Sequence, residues 1–599
     1  MRKGLAVATT VFAGLVGSPF LACDSDDPSP ATGGSGGTSA GSGGTSAGSG
    51  GTSAAGSGGT SPAGSGGTAT GGSAGSGGAP AGPVMPLHDR AGPEGEIDVQ
   101  FKDGSSDPNA WLGLFREGDP DDSYLVQKTT EGKAEGTLTF STPAALGTYE
   151  LRLFADGTSS TKLGTGKFVV EMPYDLDASF GGGKVTFDFL SNKKADWVCG
   201  LRGLSGGKVI VAGTAKTGEK TSAGWEQNEM VVARLLADGS LDPSFGQSGR
   251  ARVAMTSHAL AGCTAFSIAP DGKVVLGGWA YQPGPASDFV IVRLSADGVL
   301  DNSFGTGGIV TTNFKVSVED PGQWDNVAAL AVLDDGRIMA SGSVVYTGAG
   351  TFSSAAFARY LPSGALDPSF NSTGTMLLEK KSWAETARAL VVAGDGSSYG
   401  GVSDNGSYAS NTTRIVRLKA DGSLDASFGD GGLMIESGPS GPDYRRLIQL
   451  VPTSPSTLRM LGLMQGTWFV GSYSAQTGAP EGGDPVVGVF GTAGALPAGM
   501  MVMPDGKLLV GLSSEPWDGA NSTDGNFAMV RHESTVAMDL RFGRLRWKWD
   551  EGAAVVGSRV TAVDYTSDGK VLLGGFIDRG GGLFDYDFAI LRLVKNPAW

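Results

Sequence analysis

Histidine, cysteine and positive charge are all scarce in this chain. Three histidines, His88, His258 and His532, are spread over 599 residues. None has a second histidine at metal-ligand spacing, and no nucleophile–base pair is legible. No metal, cofactor or catalytic set is therefore expected. Lys and Arg number 45 against 61 Asp and Glu, a formal net charge of −16. Phosphate binding needs a basic face, and no Lys/Arg cluster supplies one, so nucleic acid is excluded as a partner. Large apolar side chains are missing from residues 24–83, a tract of the type GGTSAGSGG. Such a segment cannot offset its chain entropy by burial and is expected to be a flexible tether. Gly33-Gly34-Ser35-Gly36-Gly37 formally matches a nucleophile elbow, but no strand precedes it and no helix follows.

Arg2 and Lys3 precede the mostly small and apolar run 4–21, which reads as a secretory signal. Phe20-Leu21-Ala22-Cys23 resembles the lipobox of bacterial lipoproteins, with Phe20 where Leu is usual. The resemblance implies a signal peptide over 1–22 and lipidation of Cys23, with residues 23–83 as linker. Export to the cell envelope follows, with the outer membrane or surface favoured over the inner membrane. Asp24 resembles the inner-membrane retention signal of enteric lipoproteins, which leaves the membrane open. The other cysteines, Cys199 and Cys263, lie at near-equivalent places in neighbouring repeats. In an exported protein they suit a disulfide; two small buried thiols are the other reading.

Residues 84–172 contain six short strand-like runs between Gly and Asp turns. Ala110-Trp111-Leu112-Gly113-Leu114-Phe115-Arg116 and Gly147-Thr148-Tyr149-Glu150-Leu151-Arg152 resemble strands of Ig-like, SKICH-type β-sandwich modules. The resemblance implies a small sandwich and no activity; Trp111 is expected in the core, with a ligand platform as the other reading.

From residue 173 onward one cycle repeats. A strand-like run ends in an Asp-Gly turn, followed by a signature, Leu-Asp-x-Ser-Phe-Gly, and another strand. The signature reads DLDASFGGG at 175–183, SLDPSFGQSG at 240–249, VLDNSFGTGG at 299–308, ALDPSFNSTG at 365–374 and SLDASFGDGG at 423–432. It is blurred near 478–484 and degraded to AMDLRFG at 537–543. Phe180, Phe245, Phe304, Phe370 and Phe428 follow one another at 58–66 residues, and Phe542 comes 114 further on. A fixed period of this size means an array of one supersecondary unit. The signature and period resemble the bacterial Delta-60 repeat, which implies a propeller.

Each unit parses into strands a, b, c and d, with the signature between c and d. The last unit has a, b and c but no d, while the first signature is followed by a lone d strand, 184–189. Pairing the two ends closes a ring and removes the open edges. The expectation is an all-β chain: a seven-bladed β-propeller over 173–599, closed by an N-terminal strand and preceded by the sandwich and the linker. In the signature, Leu and Phe should wedge between blades, while Asp and Ser hydrogen-bond turn N–H groups. Calcium binding by the repeated Asp is the weaker alternative, because no closing Glu completes a loop.

The b–c and d–a loops share one end and differ in every unit. Trp197, Trp225, Tyr281, Trp324, Trp383, Tyr444, Trp517 and Tyr586 gather there as a candidate binding face for a glycan or protein partner. A non-enzymatic surface lipoprotein, monomeric and touching membrane only through its anchor, is expected. The alternatives are an extracytoplasmic polysaccharide hydrolase or lyase using acids such as Asp196, Asp325, Glu385 and Asp564, and a purely structural envelope component.

Overall fold

The computed structural model describes residues 82–221, 224, 226–255, 260–281, 286–314, 324–346, 352–378, 385–404, 412–437, 445–464, 467–482, 485–488, 495–514, 526–549, 557–580 and 585–599. The architecture is all-β, and the described residues contain no α-helix. No helix among them is long and apolar enough to cross a membrane.

Two sheets form the N-terminal unit. Val84–Pro86, Glu96–Phe101 and Gly136–Ser141 make one; Arg90–Ala91, Lys162–Val170, Gly147–Phe154, Trp111–Arg116 and Val126–Thr129 make the other. Alternation decides the packing. Ile97, Val99 and Phe101 face inward on one sheet, Leu112, Leu114, Leu151 and Phe168 on the other, and all share one core. Trp111 is buried on the opposite face of the five-stranded sheet, where it stacks on Phe154 at 4.3 Å between ring centroids.

The rest of the chain repeats a four-stranded antiparallel set. The first set is Asp196–Gly203, Val209–Lys220, Glu226–Leu235 and Arg250–Val253. Its a strand recurs as Leu260–Ile268, Trp324–Val332, Glu385–Val392, Arg445–Ser454, Ala495–Val502 and Gly557–Tyr565. Every one of these strands carries a register shift at the same place, between Val198/Gly200, Cys263/Ala265, Val327/Ala329, Ala387/Ala389, Leu447/Gln449, Pro497/Gly499 and Val560/Ala562. A bulge increases local twist, which helps neighbouring sheets to fan apart around a common axis. Asp-Gly turns join a to b in five of the sets, as where Ala269 and Lys273 close the turn around Asp271-Gly272 (Ala269 N–H to the Lys273 carbonyl, 2.9 Å).

The core lies between adjacent sets. Ile210, Val232 and Phe245 of the first pack with Leu276 and Val290 of the second. At the chain's ends, Lys184–Phe187 pairs antiparallel with Tyr586–Lys595, in register Lys184↔Leu591 through Phe187↔Phe588. Phe588, Ile590 and Leu572 of the last set share a core with Val198, Val209 and Val231 of the first. Thr561 Oγ1 donates to the Val198 carbonyl at 2.8 Å, and Arg202 pairs with Asp564 at 2.9 Å.

Candidate functional site

The signature end is built from a motif that includes an arginine of strand c. Arg234, Arg293, Arg359, Arg531 and Arg592 each point Nε at the signature carboxylate of Asp242, Asp301, Asp367, Asp539 and Asp177, at 2.7–2.9 Å. Each guanidinium also lies over the signature phenylalanine, from 4.1 Å at Phe180 to 4.9 Å at Phe245 and Phe370. In three sets Nη1 reaches into the next, to the carbonyls of Ala296, Pro362 and Ala420. The signature phenylalanines are buried between sets, as the sequence suggests. The serine behaves differently from expectation: its hydroxyl donates to the neighbouring Asp, as Ser369 does to Asp367 at 2.7 Å, and Asp takes the turn N–H as well. Burial works against the charge of Asp367, but the Ser369 hydroxyl and N–H together with Arg359 outweigh it and hold the carboxyl at about 2. These carboxylates are committed to holding sets together. Sequence reasoning missed the arginines, although their signal was present: in the repeats read in chain order, each stands eight residues before its Asp.

Among the described residues, the loop end exposes fewer of its rings than the sequence suggests. Trp197 is only 6% exposed and packs with Ala195, Phe576 and Tyr586. Tyr281 is 8% exposed and sits against Leu260 and Trp279, with ring centroids 5.3 Å apart. Burial pushes its hydroxyl up to about 12. Both are corrected from exposed platforms to loop anchors, because a ring at a strand end gains more by covering its own sheet than by facing water. Trp324 and Tyr586 are half-buried at the starts of their strands. Trp225, Trp383, Tyr444, Trp517, His258 and Cys23 lie outside the described residues.

The four acids considered for catalysis do not form an open pair. Asp196, Asp325 and Glu385 are fully buried at the loop-end start of their a strands. Glu385 is paired with Arg414 at 2.5 Å, and Asp564 accepts from Arg202 and the Gly203 N–H. Among the described residues no three His, Cys, Asp or Glu side chains gather as a metal cluster. Cys199 and Cys263 are joined as a disulfide with Cα atoms 5.8 Å apart, which ties the first a strand to the second.

Four stretches, 205–245, 269–304, 333–370 and 390–428, match the family model described as "Domain of unknown function (DUF5122) beta-propeller". The repeat is of β-propeller type. Each match ends at a signature phenylalanine and takes in strands b and c with the loop between them, so the d strands and d–a loops lie outside it. Among solved structures, a protein of unknown function from Bacteroides caccae is 8% identical, with a TM-score of 0.31 over 56% of this chain and 93% of its own. One from Dyadobacter fermentans DSM 18053 is 10% identical, with a TM-score of 0.35 over 69% and 100%. A gluconolactonase from Xanthomonas campestris is 14% identical, with a TM-score of 0.29 over 70% and 97%. No curated protein matches the chain.

Proposed function

We propose that residues 173–599 form a seven-bladed propeller closed by its own N-terminal strand, and that it displays its loop end to a glycan or protein partner. Closure is supported by the pairing of Lys184–Phe187 with the final strand and by the Arg202–Asp564 contact between the first and last a strands. The blade count is supported by the bulge that recurs at one register in successive a strands. The whole protein is then an exported, non-enzymatic lipoprotein of the Delta-60 type. Cys23 anchors it, residues 23–83 are the stalk, 84–172 a sandwich, and the propeller is the head.

One observation carries the binding reading. The side chains shared by the repeats are used up at the signature end in locking blades together, while the opposite end differs in every blade and leaves Trp324 and Tyr586 half open. The hydrolase alternative is less well served, since Asp196, Asp325 and Glu385 are buried and Asp564 is engaged by Arg202.

A glycan array probed with the full chain tests the reading. Trp324→Ala and Tyr586→Ala should weaken a positive signal about tenfold, as is typical of aromatic anchors. Val299→Ala, 61% exposed at the signature end, should leave it unchanged. Equal binding by all three variants would sink the face assignment.

A further inference from the structure

Three a strands begin with a buried acid at one repeat position, two residues before the bulge: Asp196, Asp325 and Glu385. The corresponding residues in the other sets are Ala261, Arg445, Ala495 and Ser558. A fully buried carboxylate needs a proton, a cationic side chain or a bound cation.

The repeats serve as internal controls. In the fourth set the need is met by Arg414, from the c-strand position opposite Val402. The matching c-strand residues of the first and third sets are Val231 and Ala356, which carry no charge. Asp196 also has a buried Oδ1 without a hydrogen-bond partner and is pushed up by burial, Asp188 and Asp587, but Arg250 is nearby and acts the other way. Among the described residues, no cationic side chain acts on Asp325 in this way. Its Oδ2 accepts the Phe314 N–H at 3.0 Å, and its Oδ1 is buried with no hydrogen-bond partner. Burial pushes its carboxyl up to about 8, and the ionisable side chain that acts on it is another acid, Asp288, itself 1% exposed.

The backbone brings these acids together. Ser287 and Trp324 form a parallel bridge, and Ser287 Oγ donates to the Asp325 carbonyl at 3.2 Å, so Asp288 and Asp325 stand side by side across the junction of two sets. Asn313 completes the group, its Nδ2 donating to Asp288 Oδ1 at 2.8 Å, and its side-chain amide carries an oxygen of the kind hard cations take.

We propose that Asp325, Asp288 and Asn313 bind a hard divalent cation of the calcium class at the junction of the second and third sets. Two carboxylates match a double positive charge, and carboxylate and amide oxygens are the ligands such ions take. The ion would join strands c and d of one set to strand a of the next and fix the strand start that carries Trp324.

Thermal unfolding of the full chain in EDTA and in millimolar calcium tests this, alongside equilibrium dialysis against calcium alone. Calcium should raise the wild-type Tm by several degrees and be retained close to stoichiometrically. Asp325→Asn should abolish both effects, whereas Asp196→Asn should keep them. Three outcomes overturn the site: no calcium shift in the wild-type protein, a shift that survives Asp325→Asn, or a shift lost in Asp196→Asn and kept in Asp325→Asn. The wild-type measurement stands by itself even where a variant folds poorly.

Discussion

His532 is completely buried at the end of its c strand, where its Nδ1 meets the Val536 carbonyl at 2.6 Å and its ring stands edge-on to Trp468 at 5.0 Å. Burial pushes the imidazole down to about 4, against the Val536 carbonyl and Asp539, which act the other way. The folded protein therefore keeps this ring neutral, whereas an unfolded chain takes up a proton near the ordinary histidine value of about 6.5. Its contribution is fully present above that value and is lost as pH falls through the window down to about 4, a difference of about 3 kcal/mol in all. The same repeat position holds Leu235, Leu294, Leu418 and Leu593, and tyrosine at Tyr360 and Tyr473. His532→Leu should consequently fold normally and lose less stability than the wild-type protein between neutral pH and pH ~4.5. Urea midpoints at the two pH values decide the matter; parallel losses in both proteins would count against it.

Among elements, the c strand, the signature and the next blade's turn act as one. Arg359 and Asp367 are 5% and 4% exposed, and Arg359 also reaches Ser369 and the Ala420 carbonyl. Removing one member of such a buried pair strands the other charge, at a cost of about 3–5 kcal/mol. Arg359→Met should approach that loss. Arg417→Met should cost distinctly less, because Arg417 and Asp425 are 3.3 Å apart and 16% and 14% exposed. Chemical denaturation of the two variants compares them, and an equal or inverted order would refute the motif's role. The repeat period made the signature and the d–a–b–c order legible in the sequence. The Asp–Arg pairing was not, because reading forward from the signature looks past a residue eight places upstream. Nor were the bulges, since an extra residue in a strand leaves the alternation of apolar residues nearly intact on either side. Trp197 and Tyr281 were misplaced for a related reason. Loop position was legible, but whether a ring turns outward or back over its own sheet depends on neighbours such as Phe576 and Trp279 that are distant in sequence.

At the scale of the whole molecule, the N-terminal two-sheet unit sits on the degraded signature at 537–543. Gly92 N–H donates to the Arg541 carbonyl at 2.7 Å, Glu96 N–H to the Leu540 carbonyl at 2.9 Å, and Arg544 N–H to the Pro93 carbonyl at 2.9 Å. Arg546 grips both carboxylate oxygens of Glu94 at 2.9 and 3.0 Å, and Arg541 lies over the Trp599 ring. Leu540 and Arg541 stand where the intact signatures carry Ala, Pro or Asn and then Ser. Beside this contact the chain enters and leaves the repeat array, where Asn596 bonds the carbonyls of Met172 and Pro173. The N-terminal unit is thus held against the array at the seam between its ends. The approach is backbone to backbone: a Cβ on Gly92 would lie 1.8 Å from the Phe542 carbonyl oxygen. Gly92→Val should therefore undock the unit while both parts stay folded. The expected signs are a larger radius of gyration in small-angle X-ray scattering and faster protease cleavage between residues 170 and 175. Arg546→Glu removes only a partly exposed pair, worth about 0–1 kcal/mol, and should leave the unit docked. A scattering curve for Gly92→Val that superimposes on the wild-type curve would show that the hydrogen bonds of 90–96 do not hold the two parts together.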